Sequence, residues 1–521
     1  MARRSEGVLH YTSPKALGDI QRQLALTVTR QVVAEVITAK YFGLILDETT
    51  DVTRREQMAV CLRYVTENLE ARETCIGLYE ASSTTAEALF EMVRDALART
   101  QLKIENVRGQ CYDGAANMAG AISGLQARVK AEEPRAVYIH CTAHRLNLVI
   151  RDALDGVREV RDVIREVSRI VTFFRDSPKW LDVFQNTGDQ ATLRPLCPTR
   201  WTCGEGCLKS LLSGYAQTMT SLEEIADDPS NRPDVASAAS GFARTMQRLE
   251  FFFGLKLALL LLGAVTPVMR SVQGSSQSVA ANVSMVKTLR LVIVSQRDTF
   301  PRFWAEVTDS AEKLGLDKPR MGRQRRAPRR ADDGAEPHIP PTPEDNCRRV
   351  YVEAVDWMAG AMAGRFPSDE TTLATAERAL VTAEEKALED TAAFYGLDAE
   401  RLRLHARMLG DVAKQRGSRL TDLGDASALL RDAGLQHVLT GATHQLRIIM
   451  TAPATSCTAE RTFSQLRRIK TWLRSTLSQE RMNHALMLSV HRERLEALDM
   501  EAEVKAFAGE TAQRVSTFGR W

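Results

Sequence analysis

The hydrophobic pattern of this 521-residue chain changes twice, and these two changes constrain what it can fold into. Residues 41–156 alternate short apolar runs with helical spacings, which is typical of an α/β domain. Residues 157–440 show predominantly helical spacing, and a mixed pattern returns at residue 441. Because the chain is longer than one hydrophobic core usually holds, we expect two to four domains.

The first part of the chain predicts a mixed sheet covered by helices. A helical lead-in occupies residues 1–40, and the next three strands are expected to pair antiparallel before strand–helix units follow. The predicted order is strands 41–46, 57–65 and 74–82, helix 84–99, strand 107–112, helix 118–129, strand 136–140 and helix 142–154.

An aspartate follows each of two predicted strands. Asp47 ends the apolar run YFGLIL, and Asp113 ends the run from Val107 to Tyr112. Ligands and metals gather at the carboxyl ends of strands in α/β sheets. Each aspartate alone is more often a cap or a turn residue, and that alternative stays open here. As a pair at equivalent positions, the two indicate a site.

The stretch from Thr451 to Arg474 predicts an amphipathic helix that begins after Pro453, with Thr455 or Ser456 as its N-cap. At helical spacing, an apolar face and a polar stripe separate. The apolar face holds Ala459, Phe463, Leu466, Ile469, Leu473 and Leu477, and the stripe holds Glu460, Ser464, Arg467, Thr471 and Arg474. The single carboxylate on this stripe either pairs with arginines or holds a metal ion beside a polyanion.

Composition bounds the class of protein. A net charge of +3 is too small to indicate nucleic-acid binding without local clustering. The apolar run from Leu255 to Val268 contains a Lys and a Pro and is too short for a membrane span, so we expect no membrane partner. The amino terminus lacks the apolar core of a secretory signal. Nine scattered cysteines predict free thiols in a reducing compartment.

Residues 318–345 interrupt the helical pattern with a dense arginine cluster followed by acids and prolines. This composition predicts a loop or a disordered segment. The cluster either contacts phosphate or directs the protein to the nucleus, or it is simply a solvated basic linker; both interpretations stay open.

Five segments, in this order, resemble those of hAT-superfamily DNA transposases. More narrowly, they resemble the transposase-derived proteins related to MYM-type zinc-finger protein 1. The segments are LILDETTD (44–51), GQCYDGAANM (109–118), HCTAHRLNLV (140–149), CPTRW (197–201) and the run ERTFSQLRRIKTWLRSTLSQERMNHALML (460–488). The resemblance extends from about Tyr11 to Arg492, nearly the whole chain.

This resemblance implies an RNase H-like α/β core, mostly helical overall, that is interrupted by a large all-α insertion. The implied domains are an N-terminal lead-in (1–40), the first part of the core (41–156), the helical insertion (157–440), the completed core with a hAT-type dimerisation region (441–500) and a tail (501–521). Asp47, Asp113 and Glu460 match the three acids of the family's DDE triad. The separation of the last two, 460 − 113 = 347 residues, is what an inserted domain would produce.

Such a triad would bind two Mg²⁺ or Mn²⁺ ions about 3.5–4 Å apart, which activate a nucleophile and stabilise the leaving oxygen of a phosphodiester. Hard cations prefer carboxylate oxygens. Because three crowded carboxylates repel one another, we expect raised pKa values without the metal.

The resemblance also implies DNA contacts outside the triad. Cys141 and His144 would lie beside the active site, where His144 contacts a phosphate or the reacting strand. Trp201, after Arg200, resembles a family tryptophan that stacks on an extruded base, although packing in a core is an equal alternative for it. Arg467 and Arg474 would face the DNA backbone. We expect no structural zinc, because no second ligand pair lies at suitable spacing near Cys141 and His144.

The expected partners are double-stranded DNA and a second copy of the chain, bound through the carboxyl-terminal region in the nucleus, with no small-molecule substrate. Active family members usually carry an amino-terminal zinc-binding DNA-recognition module, which the 40 residues before the first strand do not encode. The first expectation is therefore a metal-dependent enzyme of DNA cleavage and strand transfer that acts through the DDE triad, or a truncated or inactive remnant of one. The alternatives are a domesticated, non-catalytic nuclear protein and an RNase H-like nuclease with another substrate.

Overall fold

The computed structural model describes residues 13–188, 192–196, 201–274, 278–319, 342–367 and 371–519, without the side chains of residues 201–203. The chain divides into two compact units. The sheet unit contains residues 1–144, 272–282 and 369–521, and the helical unit contains residues 145–271 and 283–368.

One five-stranded mixed sheet forms the centre of the sheet unit, in the order β3-β2-β1-β4-β5. The first three strands are antiparallel neighbours, whereas β4 and β5 run parallel to β1, as the sequence predicted. The strands are β1 Phe42–Thr50, β2 Glu56–Val65, β3 Ala71–Ala81, β4 Val107–Tyr112 and β5 Val137–His140.

Helices make up most of the rest of the described chain. The first five are α1 Pro14–Ala39, α2 Ala86–Arg99, α3 Ala116–Ala119, α4 Leu125–Glu132 and α5 Thr142–Gly156. Then come α6 Arg158–Arg175, α7 Pro178–Asn186, α8 Trp201–Ser213, α9 Tyr215–Asp227, α10 Pro233–Met246, α11 Leu249–Val272, α12 Val279–Ser295, α13 Phe300–Lys313 and α14 Pro343–Arg365. The last ten are α15 Thr372–Thr382, α16 Glu385–Tyr395, α17 Ala399–Gln415, α18 Leu423–Asp432, α19 Thr440–Met450, α20 Cys457–Ile469, α21 Gln479–Val490, α22 Arg492–Glu496, α23 Met500–Gly509 and α24 Ala512–Phe518.

Alternation along the strands divides the core of the sheet unit between two faces. Leu44 and Leu46 of β1 pack with side chains of α2 and α4 on one face. Ile45 packs on the other face, where α20 and α21 contribute Phe463 and Leu486. Since successive side chains of a strand point to opposite faces, this alternation also fixes the direction of the polar residues further along β1.

The connection between α19 and α20, residues 451–456, is fully buried on the face of Ile45. It crosses β1 and β4 where Gly43 and Gly109 lie side by side in the parallel register. A methyl group on Gly43 would overlap the Thr451 carbonyl oxygen and come within 2.7 Å of Pro453 Cδ. One on Gly109 would lie 2.8 Å from Ala452 Cα. The two glycines therefore form a flat seat for this connection.

The helical unit has its own core, built around α11. By length and composition α11 could cross a membrane, but 61% of its most apolar 18-residue window is buried inside the protein, as in a core helix. The helix has 24 residues, so the prediction that this apolar run is too short was wrong. Around it, the amphipathic helix α6 buries a stripe that ends at Phe174, and aromatic rings pack edge to face at Phe253 and Phe303.

Three boundaries differ from the sequence-based predictions. Residues 369–440, grouped with the insertion from their helical pattern, belong to the sheet unit, where α15, α17 and α18 pack on α19. Residues 343–345, assigned to the basic loop, begin α14, and the arginines of that loop lie outside the described residues. The tail after residue 500 contains α23 and α24.

The glycine seat generates a stability prediction. Gly43→Ala should lower the free energy of unfolding by about 1–3 kcal/mol, because the added methyl group forces residues 451–453 away from the sheet. Chemical denaturation measures the difference. Gly410→Ala is the matched control: a methyl group there meets nothing within 4 Å, so a good helix former should raise stability by up to about 1 kcal/mol. If Gly43→Ala and the unchanged protein are equally stable, the claim that residues 451–453 require a glycine at position 43 is wrong.

Candidate functional site

Asp47 and Asp113 meet at the carboxyl end of the two central parallel strands. Ile45 of β1 pairs with Cys111 of β4, and the same register continued by two residues puts Asp47 beside Asp113. Asp47 does not follow β1, as the sequence suggested, but lies inside it, in the part that extends past the pairing with β4. By alternation, its side chain points to the face that α20 covers.

Glu460 reaches the same face from α20. It is the fourth residue of that helix, in the first turn. The preceding Ala459 is fully buried against the sheet beside Phe463, which fixes the helix on β1 and β2. Glu460 itself is only partly buried, at the margin of this contact. Carboxylates in a first turn are favoured by the positive end of the helix dipole.

The electrostatics of Asp47 report this convergence. Burial raises the pKa of Asp47 well above its usual range, and the next largest contribution comes from the negative charge of Glu460, with smaller ones from Cys141 and Asp113. A hydrogen bond from the Glu48 backbone N–H (3.1 Å) lowers the pKa, but does not offset this. The direction is that expected of crowded carboxylates without a neutralising cation.

The three acids approach one another without forming a preassembled metal cage. Within the described ranges, no group of three or more histidine, cysteine, aspartate or glutamate side chains is arranged to hold a metal ion. Magnesium does not require such a cage, since it is usually bound through one or two carboxylates, with water and substrate phosphates completing its shell. The chemistry of the donors therefore fits a hard divalent cation that binds together with a phosphodiester.

A buried ion pair fixes α20 relative to β1. Lys470, the C-cap of α20, donates from Nζ to Asp51 Oδ2 over 2.6 Å, and both side chains are almost inaccessible. Hydrogen bonds from Lys470 and Thr53 hold the pKa of Asp51 at about 2 despite burial. Asp51 directly follows β1, which carries Asp47, and Lys470 caps α20, which carries Glu460. The pair therefore holds the two carboxylate-bearing elements together.

Cys141 and His144 have different surroundings. Cys141 is fully buried; its sulfur accepts a hydrogen bond from the Ser456 backbone N–H over 3.2 Å. The prediction that Cys141 contacts DNA therefore needs correction, because a thiol enclosed in the core cannot reach a duplex. His144 is partly accessible, and its ring centroid lies 5.7 Å from that of His140, which packs against Gly114. His144 is thus in the neighbourhood of Asp113.

The two arginines predicted to contact the DNA backbone, Arg467 and Arg474, do not lie on the same element. Arg467 lies exposed on α20, at helical spacing from Glu460 and Ser464. Arg474 does not share that stripe, because α20 ends at Ile469 and Arg474 lies in a separate 3₁₀ turn, Trp472–Arg474. Leu473, expected on the apolar face, is 98% exposed. Arg200 and the Trp201 side chain lie outside the described residues, as do any contacts they make.

Lys470 and the glycine seat were missed in the sequence, although each left a signal. Lys470 continues the buried stripe Ala459, Phe463 and Leu466 at helical spacing, and a lysine at such a position requires a buried acidic partner. Gly43 and Gly109 each interrupt an apolar strand, a pattern that indicates close backbone approach. Ser456 occupies the predicted N-cap position without a side-chain capping bond.

Comparison with known families places the candidate site within two matched regions. Residues 2–124, which contain Asp47 and Asp113, match the RNase-like domain described as ZMYM1/FAM200. Residues 442–493, which contain Glu460, match the hAT family C-terminal dimerisation region. In these two regions the chain is similar to the hAT transposase-like proteins. The RNase-like domain and the mixed sheet confirm the predicted fold class of this hAT-related chain.

Two curated relatives are similar over part of the chain. One is the human "52 kDa repressor of the inhibitor of the protein kinase", 23% identical over 317 residues, which are 58% of this chain and 41% of the relative. The mouse protein of the same name is 23% identical over 318 residues, 58% of this chain and 42% of the relative. The hAT-related chain therefore matches less than half the length of these relatives.

The raised pKa of Asp47 generates a prediction about stability and pH. Because the folded protein binds this proton more tightly than an unfolded aspartate of pKa ~3.9 does, stability falls as pH rises from about 4 through the raised pKa. Asp47→Asn removes this cost while its side-chain oxygen can still accept from the Glu48 N–H. In chelator, its melting temperature should exceed that of the unchanged protein at neutral pH, and the difference should vanish below about pH 4.

Thermal melting across a pH series measures the effect. Asp411→Asn, on an exposed side chain of α17, serves as the control and should change the melting temperature little. A lower melting temperature for Asp47→Asn at every pH would contradict the electrostatic account.

Proposed function

We propose that this hAT-related chain is a metal-dependent DNA-processing protein of the transposase type. Asp47, Asp113 and Glu460 would act as its catalytic carboxylates. The observation that carries the proposal is the convergence of the three acids: the β1–β4 register aligns Asp47 with Asp113, and α20, packed on β1, brings Glu460 to the same face in its first turn. It joins acids from segments 413 residues apart (460 − 47) at one end of the sheet. The expected substrate is double-stranded DNA, and the expected location is the nucleus.

Asp47, Asp113 and Glu460 would hold two Mg²⁺ or Mn²⁺ ions. When bound, such ions supply Lewis-acid stabilisation of the leaving oxygen and lower the pKa of a bound nucleophile. The electrostatic repulsion among the three acids supports this role, because perturbed pKa values of neighbouring carboxylates are found most often at functional sites. Cation binding would neutralise the repulsion that raises the pKa of Asp47.

Other side chains of the chain would position the DNA. Arg467, exposed on α20 beyond Glu460 and Ser464, is suited to contact a phosphate of the backbone. His144, in the neighbourhood of Asp113, is a second candidate for a phosphate contact. Neither contact reads the base sequence, so target choice would come from elsewhere. The match to the dimerisation region supports an assembly of two chains or more.

A second function is a domesticated, non-catalytic nuclear protein that uses the carboxyl-terminal region for dimerisation and regulation. The name of the two curated relatives, which describes a repressor, is the observation that raises this alternative. On that account the carboxylates would be a structural remnant. Cleavage measurements separate the two proposals, since only the first requires a divalent cation and Glu460.

Cleavage of duplex DNA in Mg²⁺ or Mn²⁺ tests the enzyme proposal. The unchanged protein should nick or cut the duplex, and Glu460→Gln should reduce the rate by at least ~10²-fold, because it removes one anionic ligand while preserving the volume of the side chain. Glu496→Gln, on an exposed ion pair of α22, is the matched control and should retain the rate. Cleavage that is indifferent to Glu460→Gln would refute the mechanism, and a well-folded protein without metal-dependent cleavage would support the regulatory alternative.

A further inference from the structure

A cavity of about 520 Å³ lies at the end of the sheet away from the candidate acids. Tyr41, on its wall, directly precedes β1, whereas Asp47 lies further along that strand, toward its carboxyl end. At about 3.3 Å per strand residue, these two residues are about 20 Å apart. The cavity is therefore separate from the carboxylate site, and we call it the amino-end cavity.

The wall of the amino-end cavity is cationic. It is built from the end of α1, the start of β1, the 3₁₀ turn Leu435–His437 and the first turns of α19. Its charged side chains and histidines are Lys40, Glu67, His437, His444 and Arg447. Two permanent cations thus share the wall with a single acid, in a space of the size that small ligands occupy in proteins, roughly 300–1,000 Å³.

The two cations of the wall are not neutralised by acids. Among the residues that the structure describes, neither Lys40 nor Arg447 forms an ion pair. Arg447 donates to the main-chain carbonyl oxygen of Glu67 over 3.2 Å, not to its carboxylate. In the described part of the chain, Arg447 Nε and Gln436 Oε1 are buried without a hydrogen-bond partner. Since buried polar atoms are nearly always paired, these two indicate a wall arranged for a polar ligand.

Positive charge is concentrated around the Tyr41 ring. Lys40 Nζ lies 5.1 Å from the ring centroid, and Arg108 Cζ lies 4.4 Å from it. The His444 ring stacks on Tyr41, with the two centroids 5.5 Å apart. Burial lowers the pKa of His444, and the charges of Lys40, Arg108 and Arg447 lower it further. Because Arg108 is itself held in a buried ion pair, the cations left for a ligand are Lys40 and Arg447.

The backbone at Lys40 is strained. Lys40 has φ 69° and ψ −58°, and the Tyr41 N–H donates to the Ala39 carbonyl oxygen over 2.9 Å. This is a γ-turn with positive φ, which is rare and strained. Positive φ favours glycine, yet a lysine occupies the turn and is exposed beside the cavity. Since strained backbone clusters at ligand sites, the turn is a second indication that the cavity is a binding site.

We propose that the amino-end cavity binds a small phosphorylated molecule, whose phosphate is held by Lys40, His444 and Arg447. Lysine and arginine are the residues that bind phosphate most strongly, and a neutral histidine can add one N–H donor. Glu67 on the same wall repels a long polyanion, but it can accept hydrogen bonds from the hydroxyl groups of a compact ligand. The ligand class is therefore a phosphate ester of about nucleotide size, and its site does not depend on the proposed catalytic function.

Isothermal titration calorimetry of the full chain with inorganic pyrophosphate, in buffer stripped of divalent cations, measures this site. The unchanged protein should bind one pyrophosphate. Lys40→Met and Arg447→Met should each raise the dissociation constant roughly 10-fold or more, because each removes a charged hydrogen-bond donor. Lys40→Arg keeps the charge and should retain most of the affinity. Lys130→Met, on an exposed side chain of α4, is the matched control and should bind like the unchanged protein.

The absence of pyrophosphate binding by the unchanged protein would overturn the proposal, as would equal dissociation constants for Lys40→Met, Arg447→Met and Lys130→Met. Competition with duplex DNA separates the two sources of phosphate, and the duplex should not displace pyrophosphate. Displacement would identify the DNA backbone as the ligand and overturn the assignment to a small molecule. Equal loss of affinity in Lys40→Met and Lys40→Arg would show that the charge does not matter, and it would also overturn the proposal.

Discussion

The close contact of residues 451–456 with β1 and β4 is the constraint on which the rest of the sheet unit depends. The contact requires Gly43 and Gly109 at the same register, because side chains there would occupy the space of the Thr451 carbonyl and Pro453. It is strengthened by the Thr142 N–H, which donates to the Ala454 carbonyl over 3.1 Å. From this seat α20 starts with its first turn beside the carboxyl ends of the parallel strands.

That placement produces one pair of attracting charges and one group of repelling charges. At the end of α20, Lys470 and Asp51 neutralise each other in the core, and leaving one of them alone would cost about 3–5 kcal/mol. At its start, Glu460 adds negative charge to Asp47 and Asp113, and the pKa of Asp47 rises. The end of α20 therefore takes part in a neutralised buried pair, and its start takes part in a group of mutually repelling acids. The pair helps to hold that group together.

Much of the sheet was predictable because strand patterns are local. β4 was predicted at its observed bounds, and the antiparallel and parallel pairings followed from the order of strands and helices. The end of α20 was not predictable from periodicity: Leu473 and Leu477 continue the helical spacing, but the chain turns after Lys470. The partner that holds Lys470 lies 419 residues earlier in the chain, and a local pattern carries no information about such a contact.

The candidate site was predictable only in part, because the acids are visible in local patterns but their contacts are long-range. Asp47, Asp113 and Glu460 stand out as acids at strand ends and on a basic helix face, and the resemblance to a known family joined them. The register that aligns the two aspartates requires the pairing of β1 with β4. The burial of Cys141 likewise depends on contacts from residue 456, so the sequence motif alone could not separate a core thiol from a DNA contact.

The central claim is that the three carboxylates hold divalent cations, and anomalous diffraction from crystals soaked in Mn²⁺ tests it most directly. The account predicts a manganese peak bounded by Asp47, Asp113 and Glu460 in the unchanged protein, and loss or strong reduction of that peak in Asp47→Asn crystals. Manganese bound only elsewhere, or a peak of equal height in the Asp47→Asn protein, would contradict it.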